Sequence, residues 1–378
     1  MSSRTAAFLH CPQLEQHPYP KDCPFNTSRA GKLRQIIDSM NLLSRPNTKE
    51  IPPKPADRIT LKKFHTAKYL KVLKDADAGK FEAEALFMGL GTGDCPIFKG
   101  MYDYSALACG ASLKGIELLL SGDAELAFNP SGGLHHARPS RASGFCYMND
   151  VALACIVLAE NGKRVLYLDI DVHHGDGVQE AFYDRDDVLT ISFHQSGRTL
   201  FPGTGSVDEI GTGAGRGYSV NFPLPIGTYD DAYLRAFHAI VPPLAEKFAP
   251  DVIVFELGTD TLAGDPLAHL HLTNNTHAEI VRYLLSLDKP ILMTGGGGYN
   301  IDNTVRAWAY AWSIFCGADR SQDMNIGLGG VMLETTDWQG GLRDRQLIPI
   351  AQQKKNVEPA IDSTIEQIKE NIFPFHGL

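Results

Sequence analysis

The sequence predicts an α/β fold, an open parallel β-sheet with helices on both faces. Three observations support this prediction. Short apolar runs alternate along the chain with longer helix-like segments, as strands and helices do in parallel sheets. The run Val165–Leu168 stops at a cluster of carboxylates and imidazoles, which is typical of a buried strand. Further polar clusters follow other predicted strands, where open α/β sheets bind their ligands.

Taken in order, the chain contains five predicted strands and six predicted helices. The strands are Ala6–His10, Val165–Ile170, Val188–Phe193, Val252–Leu257 and Pro290–Thr294. The helices are Tyr102–Leu120, Asn149–Glu160, Asp230–Phe248, Thr276–Leu287, Asn303–Phe315 and Pro359–Ile372. The Pro-rich segment Asn41–Ile59 and the Gly-rich segment Gly203–Gly217 are predicted to be surface loops. We expect one domain over residues 1–378, with a core at about 5–317 and a C-terminal helical extension at 318–378.

Composition excludes several classes of protein. The 378 residues are 43% hydrophobic and 21% charged, as in ordinary globular proteins. The net charge of −9 and the lack of a long basic run argue against nucleic acid as a direct partner. No apolar run has the length of a membrane span. Seven widely spaced cysteines, without Cys-x-x-Cys, favour reduced thiols and a cytoplasmic location, extending to the nucleus in a eukaryote.

A metal site is predicted at the end of the strand that begins at Val165. Asp171 and His173 are two residues apart, so on an extended backbone their side chains point the same way. A carboxylate beside an imidazole suits a divalent metal of the zinc class. Asp260, after the predicted strand Val252–Leu257, is the candidate third ligand; alternatively, it caps a turn. Three protein ligands leave a position open, as in catalytic zinc sites.

Two adjacent histidines, His135 and His136, follow a Gly-Gly pair. An isolated His-His pair is more often a surface feature without a role. Here, however, Asp169 and Asp176 flank the metal motif and are not needed as ligands. A carboxylate behind an imidazole fixes its tautomer and raises its basicity, which is what a general base requires. We therefore predict two His–Asp pairs beside the metal.

Tyr299 ends a run of four glycines after the last predicted strand. The run matches neither phosphate-binding motif, because Gly-Lys-Ser/Thr and Gly-x-Gly-x-x-Gly are both missing. Such glycines let the backbone approach a neighbour closely. Tyr299 can then donate to a developing oxyanion; alternatively, it is a packed aromatic residue.

Five motifs follow one another along the chain: Gly132–Ala137, Ala142–Asp150, Asp169–Gly177, Phe201–Gly205 and Gly295–Asn300. Together they resemble the zinc-dependent histone deacetylase superfamily, which has the arginase/deacetylase fold. The chain is similar to class I deacetylases and to their bacterial relatives, which include the acetoin-utilisation proteins. The resemblance extends from about His10 to Gly317.

The resemblance implies zinc-dependent, or ferrous-iron-dependent, hydrolysis of N6-acetyl-lysine in proteins. Asp171, His173 and Asp260 would hold the metal. His136 would be the general base and later acid, with His135 as its electrostatic partner. Asp169 and Asp176 would support the histidines, and Tyr299 would bind the oxyanion. The remaining implied positions are Asp94, Gly144, Phe145, Phe201 and Leu267 for the substrate, Arg29 and Leu134 for an acetate channel, and Ser192, Phe193, Phe182, Val188 and Tyr218 for structural potassium.

Other residues separate branches of this superfamily. Binuclear manganese ureohydrolases carry acids where this chain has Gly175 and Leu262, so one metal is favoured. Tyr299 favours action on plain acetyl groups. Lys21–Asn26 and Leu200 depart from the class I pattern at the tunnel rim. Deacetylation of small acylated amines such as acetylpolyamines, or of longer acyl-lysines, therefore remains an alternative, as does a non-catalytic acyl-lysine-binding scaffold. The sequence does not indicate an oligomeric state.

Overall fold

The computed structural model describes residues 4–318 and 341–378. Its centre is one sheet of eight strands, in which every neighbouring pair runs parallel. The strands are β1 (Ala6–Leu9), β2 (Thr48–Ile51), β3 (Leu126–Asn129), β4 (Val165–Asp169), β5 (Val188–Gln195), β6 (Ser219–Leu224), β7 (Val252–Glu256) and β8 (Ile291–Thr294). Their order across the sheet is β2-β1-β3-β8-β7-β4-β5-β6. The predicted fold class is therefore confirmed.

Helices connect the strands and cover the sheet. They are α1 (Ser28–Ser39), α2 (Arg58–Leu61), α3 (Ala67–Asp77), α4 (Ala83–Phe87), α5 (Met101–Ser121), α6 (Asp150–Glu160), α7 (Asp176–Phe182), α8 (Asp230–Phe248), α9 (Asn274–Ser286), α10 (Ile301–Phe315) and α11 (Ala351–Asn371). The five predicted strands and six predicted helices are all present. The largest difference is at α11, which begins at Ala351, so that Pro359 lies inside the helix.

The prediction that Asn41–Ile59 is only a loop was wrong. It contains β2, which pairs with β1 at the edge of the sheet. This strand is short, and Lys49 and Glu50 are exposed, so no apolar run marked it in the sequence. Strands β3 and β6 were also missed. The edge strand β6 contains Pro223, a residue that sheets tolerate at an edge but seldom in the centre.

The strands bury both of their faces. On β1, Phe8 packs into one apolar cluster and Leu9 into another, because successive side chains point to opposite faces. Helices α1 and α8–α11 contribute to the first cluster, and α5–α7 contribute to the second. The predicted C-terminal extension, 318–378, lies partly outside the described residues. Its helix α11 buries Ile361 and Ile368 in the first cluster. Among the described helices, none has both the length and the apolar character of a membrane span.

A third apolar cluster includes residues of the segment that connects β3 to α6, and buried His65 contacts this segment at two points. His65 Nδ1 lies 3.1 Å from the carbonyl oxygen of Arg138, and the Asn149 N–H donates to His65 Nε2 at 3.0 Å. A neutral ring protonated on Nδ1 satisfies both contacts. Burial lowers the pKa of His65 to about 4.

We expect stability to fall as the pH is lowered from 6.5 towards 4, in part because of His65. The unfolded ring binds a proton near its ordinary pKa of 6.5, whereas the folded ring does so only near 4. Folding stability is therefore complete above pH 6.5 and falls below it, by up to about 3 kcal/mol for this one group. Urea midpoints measured at several pH values should show a smaller slope in His65→Gln. The control variant is His238→Gln, because His238 is exposed, and it should keep the wild-type slope. Equal slopes in wild type and His65→Gln would contradict this account.

Candidate active site

The predicted site residues meet at the carboxyl ends of four neighbouring strands, β3, β8, β7 and β4. His135 and His136 follow β3, and Tyr299 follows β8. Asp260 follows β7, and Asp171 and His173 follow β4. The parallel arrangement brings these loops to one edge of the sheet, although they are far apart in the sequence.

Asp171, His173 and Asp260 form a buried trio. His173 Nδ1 lies 3.0 Å from Asp171 Oδ1 and 3.1 Å from Asp260 Oδ2. One imidazole N–H cannot satisfy two buried carboxylates, so the trio retains excess negative charge. Two carboxylate oxygens and one imidazole nitrogen are a donor set that zinc or ferrous iron accepts. The trio therefore fits a single divalent metal ion.

Backbone amides hold these carboxylates in place. The Gly297 N–H donates to Asp171 Oδ2 at 2.6 Å, and the Val172 N–H donates to Asp260 Oδ1 at 2.8 Å. Gly297 has to be glycine, because an added Cβ would lie 1.9 Å from Asp260 Oδ2. The Gly-rich loop thus closes tightly over the trio.

The two histidines form a linked pair. His135 Nδ1 lies 2.9 Å from Asp169 Oδ2, and His136 Nδ1 lies 2.7 Å from Asp176 Oδ1. Their Nε2 atoms are 3.1 Å apart. With both Nδ1 atoms protonated and facing carboxylates, this contact requires a hydrogen on one Nε2. The pair therefore carries one positive charge.

The surroundings place this charge on His135. Burial opposes it, but the nearby Glu256 and Asp169 raise the pKa of His135 well above its ordinary value. Burial, together with the charge of His135, lowers the pKa of His136 to about 4. Although Asp176 is also buried, His136 and Arg138 keep the pKa of that carboxyl low. His136 is thus the neutral histidine, able to accept a proton.

Tyr299 lies beside His173 of the metal trio. Its ring centroid is 6.3 Å from that of His173. The Tyr299 N–H donates to Asp265 Oδ2 at 2.7 Å, which fixes its backbone. Burial and the nearby Asp260 and Asp171 raise the pKa of Tyr299 well above 10. The phenol therefore keeps its proton and can act as a donor.

Aromatic rings wall the entrance. The Phe201 ring centroid lies 5.0 Å from that of His136, and the Phe145 centroid lies 5.8 Å from that of Tyr299. Phe201 is 44% exposed, which places it at the mouth. Gly144 fits between the walls, since a Cβ there would lie 2.3 Å from His136 Cδ2.

The two other predicted substrate residues lie on adjoining loops. Asp94 Oδ2 accepts from the Gly144 N–H at 2.9 Å, so Asp94 joins the loop that carries Phe145. The Leu267 N–H donates to Asp265 Oδ1 at 2.9 Å. Asp265 therefore accepts from the backbone N–H groups of both Leu267 and Tyr299.

Of the two predicted channel residues, Arg29 contacts the Gly-rich loop and Leu134 packs in the third apolar cluster. Arg29 donates from Nη1 to the Gly298 carbonyl at 2.8 Å and from Nη2 to the Gly296 carbonyl at 3.0 Å. Leu134 is buried, and its N–H donates to Asp150 Oδ1 at 2.8 Å. Both residues are therefore buried next to loops that carry site residues.

The predicted potassium residues fall into two groups. Ser192 and Phe193 lie in β5, where Ser192 pairs with Asp169 of β4. Phe182 ends α7 and Val188 begins β5, while Tyr218 precedes β6. The structure therefore does not bring these five residues to one place. Potassium binding at either group remains a prediction.

Sequence reasoning missed three residues that contact the site. Arg138 donates to Asp176 Oδ2 at 2.8 Å. Tyr167 lies between Asp169 and Glu256, with its hydroxyl 2.5 Å from Asp169 Oδ2 and 2.9 Å from Glu256 Oε2. Glu256 is the third missed residue. Two signals in the sequence could have identified Glu256 and Tyr167. Glu256 is an acid at the end of an apolar run, and Tyr167 lies two residues before Asp169, so their side chains point the same way on a strand.

The fold and the site together define a metal-dependent hydrolase. They combine a three-ligand metal trio, a neutral histidine held by a carboxylate, and a protonated phenol in a buried pocket. Comparison with known proteins gives the same class. The family model for the histone deacetylase domain matches residues 23–315.

Individual relatives match over most of the chain. Histone deacetylase clr6 of Schizosaccharomyces pombe is 36% identical over 324 residues, which are 85% of this chain and 79% of that protein. Histone deacetylase 8 of Xenopus tropicalis is 40% identical over 300 residues, 78% of this chain and 80% of that protein. The crystal structure of an HDAC homologue from Aquifex aeolicus has a TM-score of 0.86 at 32% identity and covers 97% of this chain and 100% of its own. This chain belongs to the histone deacetylase family and is a deacetylase enzyme.

Gly297→Ala should weaken metal binding although it removes no ligand. The new Cβ would displace the Asp260 carboxylate, and changes behind metal ligands typically cost on the order of 10–100-fold in affinity. Competition with a chromogenic chelator, using zinc, measures the effect. Gly93→Ala is the matched control, because nothing lies within 4 Å of its added Cβ. An unchanged affinity in Gly297→Ala would contradict the proposed position of the metal.

Proposed function

We propose that the protein hydrolyses the amide of N6-acetyl-lysine in proteins and releases acetate and the free lysine amine. The observation that supports this most directly is the placement of neutral His136 beside the Asp–His–Asp trio, behind an aromatic entrance. Family membership supports the reaction type. We further propose that residues 1–378 form one deacetylase domain, located in the cytoplasm, or also in the nucleus of a eukaryotic cell.

Asp171, His173 and Asp260 would hold zinc or ferrous iron. When bound, the metal polarises the substrate carbonyl and lowers the pKa of the attacking water. The chain's own residues handle the proton. His136 Nε2 takes it from water as the water oxygen bonds to the acetyl carbon. Asp176 keeps the opposite nitrogen of His136 protonated, so that Nε2 is the basic one.

The tetrahedral intermediate needs donors for its negative oxygen. The Tyr299 phenol, which keeps its proton, donates to that oxygen, and one such donor is worth about 3–4 kcal/mol in other hydrolases. The carbon–nitrogen bond then breaks, and His136 returns its proton to the leaving amine. Acetic acid and a neutral amine result, and transfer of the remaining carboxyl proton to the amine gives acetate and the lysine ammonium ion.

The entrance suits a long, unbranched side chain. Phe145 and Phe201 would line the methylene stem of lysine, and Gly144 and Leu267 would complete the wall. Asp94 would accept from backbone N–H groups of the substrate. Arg29 and Leu134 would lie along the path of acetate, and potassium would support the β4–β5 region. The resemblance to the family supports each of these proposed roles.

Turnover of acetyl-lysine peptides by the zinc-loaded protein tests the proposed reaction. We expect acetate release that is abolished by a chelator and restored by zinc, and a higher kcat/KM on peptides than on acetylpolyamines. A preference for acetylpolyamines would show that the substrates are small acylated amines and not proteins. Binding of acetyl-lysine peptide without any acetate release would support a non-catalytic scaffold instead.

Tyr299→Phe should lower kcat by about 100-fold while leaving KM nearly unchanged. The phenol hydroxyl acts mainly on the oxyanion of the transition state, and the phenyl ring that remains preserves the shape of the pocket. Steady-state kinetics on an acetyl-lysine peptide provide the measurement. A rise in KM with kcat unchanged would show that the hydroxyl serves ground-state binding instead.

A further inference from the structure

Two acids lie side by side behind His135. Asp169 ends β4 and Glu256 ends β7, and the two residues face each other in the parallel register. Neither is exposed to solvent. Tyr167, two residues before Asp169 and on the same face of the sheet, places its hydroxyl between the two carboxyl groups. A sheet core is an expensive place for two neighbouring negative charges.

The hydrogens available to this cluster are few. The Tyr167 hydroxyl has one hydrogen, and its 2.5 Å contact identifies Asp169 Oδ2 as the acceptor. The second contact of that hydroxyl, 2.9 Å to Glu256 Oε2, then needs a hydrogen from the carboxyl group itself. This is the arrangement of a neutral carboxylic acid that donates to a phenol.

The other oxygen of Glu256 leads to the same conclusion. Oε1 lies 3.0 Å from His135 Nδ1, but that N–H is directed to Asp169, and Oε1 has no hydrogen bond of its own. A buried carboxylate oxygen left bare is far more costly than a bare carbonyl oxygen of an acid. Burial raises the pKa of Glu256 well above its usual range, and Asp169 adds to this rise against the pull of His135.

We propose that Glu256 is a positioning residue that acts on His135 as a neutral acid. Its Oε2–H donates to Tyr167, and the Tyr167 hydroxyl donates to Asp169. Asp169 in turn accepts the Nδ1–H of His135, while Glu256 Oε1 packs against the same nitrogen. This chain of contacts fixes the ring with Nε2 directed at His136. The inference rests on the proposed roles of the two histidines.

Two substitutions separate positioning from charge and from simple packing. In Glu256→Gln the side-chain amide donates to Tyr167 and its oxygen faces His135, so the neutral pattern survives. Glu256→Met keeps the length of the side chain but removes both polar atoms. Thr294→Val is the matched control, because Thr294 pairs with Glu256 on the adjacent strand β8 and its buried hydroxyl has no hydrogen-bond partner.

We expect Glu256→Gln and Thr294→Val to keep kcat within about 3-fold of wild type. Glu256→Met should lose at least about 10-fold in kcat, with KM for acetyl-lysine peptide and bound zinc unchanged, as is typical when an outer hydrogen-bond partner is removed. Wild-type kcat in Glu256→Met would overturn the positioning role. A Gln variant as impaired as the Met variant would show that the negative charge is needed, and would also overturn the proposal.

A spectroscopic measurement keeps the proposal testable if Glu256→Met fails to fold or if the enzyme turns over another substrate. Infrared difference spectra of wild type minus Glu256→Gln, recorded near neutral pH, should contain the C=O stretch of a protonated carboxylic acid. The band should persist in Thr294→Val. A carboxylate band in its place would overturn the neutral-acid assignment, whatever the activity of the protein.

Discussion

The structure depends on holding several acids together without solvent at the ends of adjacent parallel strands. Asp169, Asp171, Glu256 and Asp260 are all at most 1% exposed. Each charge buried there must be offset by a donor, a cation or a proton. The available partners are backbone amides of the loops after β4 and β8, the rings of His135 and His173, the Tyr167 hydroxyl, and the metal ion that the trio would hold. Much of the local architecture serves this electrostatic requirement.

The same requirement makes the two histidines different, although they are neighbours in the sequence. His135 faces the interior, where its Nδ1 contacts the Asp169 carboxylate, which stabilises a positive ring. His136 faces Asp176, whose charge is already shared with Arg138. One ring thus holds the proton and the other accepts one. A division between a charged and a neutral imidazole is what acid–base catalysis near neutral pH requires.

Close backbone approach lets the loops pack around these charges. Gly297 has no room for a Cβ beside Asp260, and Gly144 has none beside His136. Asp265 joins the loop after β7 to Tyr299 on the loop after β8. The phenol, the metal trio and the histidines are therefore fixed relative to one another by loops from different strands, which is a requirement for preorganised catalysis.

The sequence by itself determined the parallel α/β class, the five strands with continuous apolar runs and the main chemical groups. For the metal ligands, the alternation of side chains along an extended backbone was enough, because it already places Asp171 and His173 on one side of the chain. Only the tertiary structure decided the polar edge strand β2 and the positions of Tyr167, Glu256 and Arg138 behind the histidines. The register of β4 against β7 brings Glu256 to Asp169 across 87 residues of sequence, from 169 to 256. Contacts between distant segments depend on strand pairing, which no local pattern encodes.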